Sequence, residues 1–167
     1  AFRERLAEAG LPVSRIVAAG SPSFPVHARH DEREVSPGTT VFWDHNYGAR
    51  YPEAGFEPAA LVLGRVVSKP APNRVCLDLG SKALSADTPL PRAHFLNLPP
   101  VTAVMQSEEH LVLEFAGADD WPVGSVVYAV PFHICPTVAL YDEATIVEYG
   151  RSHGTWEIVA RRRRLTI

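Results

Sequence analysis

Cysteine occurs only twice in these 167 residues, and Cys76 and Cys135 stand far apart. Two cysteines at that separation make no disulfide framework, so the fold must rest on burial, and a reducing, cytoplasmic setting fits. No stretch of about twenty apolar residues occurs, and no basic n-region with a following apolar h-region opens the chain, so neither a membrane span nor a signal peptide is expected. Excess charge is lacking too. The net charge of −3 gives no footprint for nucleic acid or for an acidic membrane surface. The one basic cluster, Arg161 to Arg164, follows the alternating stretch Thr155 to Ala160 and is expected on the solvated end of a last strand.

What is present is ordinary globular material, 46% hydrophobic, enough for one substantial core. The chain reads as two unequal parts. In residues 1–49, Phe2, Leu6 and Ala9 recur at helical spacing, Gly10 stops the helix, and Arg15 to Ala19 form a short apolar strand. Directly after it stands Gly20-Ser21-Pro22-Ser23. A glycine and small hydroxyl residues after a buried strand can close backbone N–H groups around a phosphate, although most such turns bind nothing.

Beyond Phe56 the helical periodicity disappears. Residues 60–69 and 74–80 read as strands joined by a hairpin turn at Pro70 to Asn73, which places Lys69 at the turn in solvent. Further strands are expected at 109–115, 124–130, 138–141, 145–149 and 155–161. Such spacing implies an antiparallel barrel or sandwich, interrupted by the proline-rich linker Leu96 to Pro100.

Inside this half, His133-Ile134-Cys135 is bracketed by Pro131 and Pro136. In extended backbone an i, i+2 pair sends imidazole and thiol to the same face, and both suit zinc. The pair supplies only half of a four-ligand site. A buried thiol beside a hydrogen-bonded histidine is the alternative reading.

Taken in order, Gly20 to Pro25, Ser36-Pro-Gly-Thr-Thr-Val-Phe-Trp-Asp44, Val66 to Pro72, Asp78-Leu-Gly-Ser-Lys-Ala-Leu-Ser-Ala-Asp87, Ser107-Glu-Glu-His110 and Pro131 to Thr137 resemble the C-terminal part of the D-serine dehydratase and D-threonine aldolase family. The likeness spans nearly the whole chain. It implies a fold-type III pyridoxal-phosphate enzyme, usually dimeric: an alanine-racemase-like (β/α)8 barrel followed by a β-domain. Residues 1–49 would be the last piece of the barrel and residues 57–167 the β-domain, so the fold class expected is mainly β, an antiparallel barrel or sandwich after a short α/β remnant.

The resemblance also implies roles. Gly20, Ser21 and Ser23 become candidate contacts of the cofactor phosphate, and His133 and Cys135 the zinc pair. Aldolase members more often carry aspartate at the second position, so Cys135 tilts the expectation toward a dehydratase-like lyase acting on a D-3-hydroxy amino acid. His110 is a candidate acid or base, because imidazole titrates near neutrality, or else a hydrogen-bonding residue. Asp78, Lys82 and Asp87 could stand behind the metal ligands, or form an inter-strand ion pair or turn cap. Tyr47 and Tyr51 could reach the cofactor. The Schiff-base lysine is absent: the chain has only Lys69 and Lys82, and neither falls at the family's position near the barrel start. The chain is therefore expected to be a C-terminal region missing its N-terminal barrel segment and inactive alone. A D-threonine aldolase or racemase on the same scaffold, or a non-catalytic metal-binding β-domain, are the alternatives.

Overall fold

A computed structural model describes residues 2–162 and 164. Helix α1 (Phe2–Glu8) ends where Gly10 takes a left-handed φ of 76°, a conformation open to glycine at no steric cost. Strands β1 (Ile16–Ala19) and β2 (Arg33–Ser36) pair in parallel, joined through the short helix α2 (Phe24–His27). A parallel pair needs such a crossover, so this is the βα type of connection expected of a barrel fragment.

A second helix-bearing stretch follows. Helix α3 (His45–Arg50) is capped by Asp44, whose carboxylate accepts the Tyr47 N–H at 2.9 Å, relieving one of the unpaired donors of a helix start. Trp43, 1% exposed, packs on Phe56 and Tyr47 with ring centroids 5.1 and 5.2 Å apart.

The rest is dominated by one curled antiparallel sheet. Its strands are β3 (Val62–Ala71), β4 (Arg74–Leu77), β5 (Ala93–Phe95), β6 (Thr102–Gln106), β7 (Leu111–Glu114) and β8 (Val126–Pro131), in the order β5-β8-β3-β4-β7-β6. The two ends of that order, β5 and β6, are not paired, so the sheet is an open half-barrel. Along β3, Val62, Gly64 and Val66 face inward while Leu63, Arg65 and Val67 are exposed, the period of two that puts one strand face into a core. Val75, Leu77, Leu79, Leu84, Leu111, Leu113, Val127 and Ala129 fill the concavity.

Two glycines are required by close approach. A Cβ on Gly64 would lie 2.6 Å from the Leu79 side chain, and one on Gly80 would lie 2.1 Å from the carbonyl oxygen of Glu108. The second contact seats the β6–β7 turn against the segment after β4. Strands β9 (Glu143–Glu148) and β10 (Arg151–Glu157) form a separate hairpin. Tyr149 and Gly150 join them with φ of 50° and 75°, the backbone of a two-residue turn that matches strand twist.

Several expectations change. Residues 138–141 are not a strand: helix α4 (Ile134–Val138) ends at Val138 and a turn follows it, and Pro136 sits in the first turn of α4, where a missing N–H removes no helical hydrogen bond. The His133-Cys135 pair is consequently not two residues of one extended strand. His133 is extended at φ −138° and ψ 105° as the cap of α4, and Cys135 is already helical. Strand β3 runs through Ala71, so Lys69 lies within it, donating to the carbonyl of Asp119. The last strand stops at Glu157; Arg161 and Arg162 lie in a 3-10 turn, and Arg163 falls outside the described residues. Strands β2, β5 and β6 have no counterpart among the expected strands.

Candidate active site

Two chain segments meet at the start of α4. On one side is the turn after β1. Gly20 adopts φ 104°, and its carbonyl accepts the N–H groups of Ser23 and Phe24 at 3.1 and 3.0 Å. Ser21, 4% exposed, accepts the Thr39 N–H on its hydroxyl at 3.0 Å. Thr39 in turn places its own hydroxyl 3.4 Å from the Cys135 Sγ. The candidate phosphate turn and the candidate metal thiol are thus linked through one residue, the backbone N–H and the hydroxyl of Thr39, although 114 positions separate Ser21 and Cys135 in the numbering. Ser23 faces elsewhere: its hydroxyl donates to the carbonyls of Ala19 and Gly20 at 3.1 and 3.2 Å.

On the other side is the backbone around His133. The Asp44 carboxylate, 2% exposed, accepts the Ile134 N–H at 3.2 Å with the oxygen that does not cap α3. One carboxylate therefore ties two helix starts together. The buried Thr137 hydroxyl donates to the His133 carbonyl at 2.8 Å and accepts the Ser85 N–H at 3.3 Å. The His133 Nδ1 hydrogen-bonds to Asp87 Oδ2, and the Ser85 hydroxyl donates to Asp87 Oδ1 at 2.6 Å. Burial pushes the Asp87 carboxyl up, but the hydrogen bonds from Ser85 and His133, with the charge of His133, outweigh it and hold the group below its ordinary value.

Aromatic rings close the flank. His45, first residue of α3, lies between His94 of β5 and Phe132, at centroid separations of 4.9 and 5.0 Å. Tyr47 packs on Trp43 and Tyr51. Burial first, then the nearby Asp44 and Cys135, push its phenol up. An open cavity of about 360 Å³ lies beside the stack, lined in part by His45, His94, Phe95 and Phe132.

Not every candidate is brought here. His110 sits exposed at the end of the β6–β7 turn, its backbone N–H donating to the Ser107 hydroxyl at 3.3 Å, and it makes no contact with His133 or Cys135 among the described residues. Lys82 forms ion pairs with Glu109 and Glu108 at 2.7 and 3.1 Å, and Asp78 accepts the Arg65 N–H at 2.6 Å. Of that group of three, Asp87 alone stands against a candidate ligand. Sequence reasoning gave no role to Thr39, Asp44 or Thr137. An aspartate before a helix start is a readable cap signal, but its second bond to Ile134 is a tertiary fact, and nothing local marks Thr39.

A metal ion would find an imidazole nitrogen and a thiolate, a donor set that suits zinc. Among the described residues no cluster of three or more His, Cys, Asp or Glu completes such a site. The residues fit half a coordination sphere. Nor is any described helix long and apolar enough to cross a membrane.

Comparison with known proteins agrees with this architecture. The family described as "Putative serine dehydratase domain" matches residues 59–147. A D-threonine aldolase from an Arthrobacter species is 34% identical over 164 residues, covering 96% of this chain and 43% of its own length. A 3-hydroxy-D-aspartate aldolase from Paracoccus denitrificans is 27% identical, covering 95% of this chain and 42% of its own. Among solved structures, the D-threonine aldolase of Filomicrobium marinum superposes with a TM-score of 0.82 at 27% identity, over 95% of this chain and 44% of that one. The D-threo-3-hydroxyaspartate dehydratase of Delftia sp. HT23 does so at 0.74 and 26%, over 92% and 46%. A half-barrel sheet behind a βα fragment, with this likeness, defines the C-terminal region of an alanine-racemase-like fold. The chain belongs to the D-serine dehydratase-like family, and it spans less than half the length of these relatives.

Proposed function

We propose that this chain is the C-terminal part of a D-amino-acid lyase that uses pyridoxal phosphate and zinc to eliminate water from a D-3-hydroxy amino acid. One observation carries the reading: Thr39 bridges Ser21, in a turn of phosphate-binding type, to Cys135, in an N/S donor pair of zinc-binding type. When bound, pyridoxal phosphate supplies an electron sink at the α-carbon and zinc supplies Lewis acidity toward the β-hydroxyl. The residues of this chain hold those groups. Ser21, with its oxygen already accepting the Thr39 N–H, keeps a hydroxyl proton to donate to phosphate, and Gly20 supplies the left-handed turn that presents it. Ser23, its hydroxyl turned back on the chain, contributes the shape of the turn. His133 and Cys135 hold the metal.

The chain by itself is proposed to be inactive. Lys82 is held by two glutamates and Lys69 by a carbonyl, so neither is offered to a cofactor aldehyde. The barrel segment and its lysine would precede residue 1. Support comes from the parallel pair β1–β2, which has no further strand beside it among the described residues, and from relatives more than twice as long.

Cleavage of the Cα–Cβ bond is the second reading, favoured by the 34% identity to a D-threonine aldolase. Product analysis of the full-length protein with D-threonine separates the two. Elimination gives 2-oxobutanoate and ammonia, aldol cleavage gives glycine and acetaldehyde, and formation of neither pair would sink both readings.

A further inference from the structure

The Asp87-His133 contact has a consequence for how the metal pair works. An ionised carboxylate has no proton to give, so the hydrogen between Asp87 Oδ2 and His133 Nδ1 belongs to the ring. In the neutral ring this bond puts the proton on Nδ1 and leaves the Nε2 lone pair for a ligand. The carboxylate is itself held, because the Ser85 hydroxyl donates to its other oxygen at 2.6 Å. The backbone is held as well. Thr137 donates to the His133 carbonyl and accepts the Ser85 N–H, and Asp44 takes the N–H of the next residue.

Ser85 therefore touches both ends of this arrangement, its side chain on Asp87 and its N–H on Thr137. The segment from Ser85 to Asp87 and the start of α4 are thus joined by hydrogen bonds within this chain. A histidine side chain free in water prefers the opposite tautomer, with the proton on Nε2. A histidine without Asp87 would present the wrong nitrogen for part of the time and a freely turning ring throughout.

We propose that Asp87 is a positioning residue for the metal site, fixing the tautomer and ring orientation of His133 so that Nε2 is offered to the cation. This inference rests on the reading of His133 and Cys135 as the metal pair. Outer partners of this kind typically affect metal affinity by about 10- to 100-fold.

The test is a zinc titration by calorimetry on the full-length protein, comparing Asp87→Ala, Asp87→Asn and His133→Ala, with 15N NMR of the His133 ring in the metal-free state at a pH where it is neutral. The expected results are loss of binding in His133→Ala, about 10- to 100-fold weaker binding in Asp87→Ala, and partial rescue in Asp87→Asn, whose amide oxygen still accepts from Nδ1–H. The NMR spectrum should show the Nδ1–H form in the unsubstituted protein and a shift toward Nε2–H in Asp87→Ala; it needs no metal and would be unmoved by a role in folding alone. Zinc affinity in Asp87→Ala within twofold of the parent, while His133→Ala has lost it, overturns the positioning role and leaves the metal pair standing. Equal, complete losses in both Asp87 variants overturn it too, since that is the behaviour of a direct ligand. Unchanged binding in His133→Ala removes the metal pair and this inference together.

Discussion

Cys135 and Cys76 share a side chain and differ in cover: Cys135 is exposed and Cys76 buried. In the folded protein a thiol reagent such as Ellman's should therefore modify one cysteine per chain quickly, and the second only in denaturant. Zinc bound at Cys135 should slow that first reaction, because the metal holds the thiolate that the reagent needs; no protection by zinc would remove Cys135 from the site. His45 gives a pH signature. Burial, then the adjacent His94, hold its imidazole below the ordinary value of 6.5, with Asp44 pulling the other way. The unfolded chain thus binds a proton at higher pH than the folded one. The stability attached to the neutral ring is complete above that ordinary value and is lost as pH falls through it toward the folded value. Replacing His45 by Phe, which keeps a ring between His94 and Phe132, should flatten the slope of unfolding free energy between about pH 7 and pH 5. An unchanged slope in urea titrations across that range would assign the acid sensitivity elsewhere.

At the scale of elements, the strands with clear alternation were legible. The expected runs at 60–69, 74–80, 109–115 and 124–130 overlap β3, β4, β7 and β8. Alternation and turn chemistry are local, so a sequence window contains them. Strand β5 is three residues long and β6 lies beside a proline-rich stretch, too little pattern for a period of two to register. Helix α4 misled because Val138, Leu140 and Tyr141 read as a strand when the bonds to Asp44 and Thr137 that organise the segment are out of view. The tight seat of the β6–β7 turn on Gly80 is equally tertiary. Gly80→Ala should cost roughly 1–3 kcal/mol of stability, since a Cβ would meet backbone that cannot swing aside. Gly38→Ala, with open space around the new carbon and a negative φ, is the control and should be near neutral. Equal urea midpoints for the two variants would contradict the packing argument.

At the scale of the whole molecule, the half-barrel carries a packed core, whereas residues 2–36 bury only Ser21. Val17 of β1 is 57% exposed, and a lone two-stranded sheet is marginal in water. The 167-residue chain on its own should self-associate as concentration rises, because unpaired strand edges and uncovered apolar side chains seek partners. Sedimentation showing a clean monomer at high concentration would count against it. Pyridoxal phosphate added to the same chain should leave no borohydride-stable adduct at a defined lysine; stoichiometric trapping at Lys82 would overturn the proposed inactivity.

Composition, period and turn residues determined the β-rich character and the helical start, because each is written within a few neighbouring positions. The donor chemistry of His133 and Cys135, an imidazole nitrogen and a thiol, was likewise a property of the side chains themselves. Their geometry was not. Pairing in extended backbone gave way to a helix cap followed by a helical turn, since Asp44 and Thr137 reach the segment from other parts of the chain. The tertiary structure alone decided that Thr39 joins the Gly20-Ser21 turn to Cys135, and that Asp87 turns toward His133 while Lys82 turns toward glutamates. The physical reason is range: propensity acts over a few residues, whereas a hydrogen bond between residues nearly a hundred positions apart exists only once the sheet has brought them within about 3 Å.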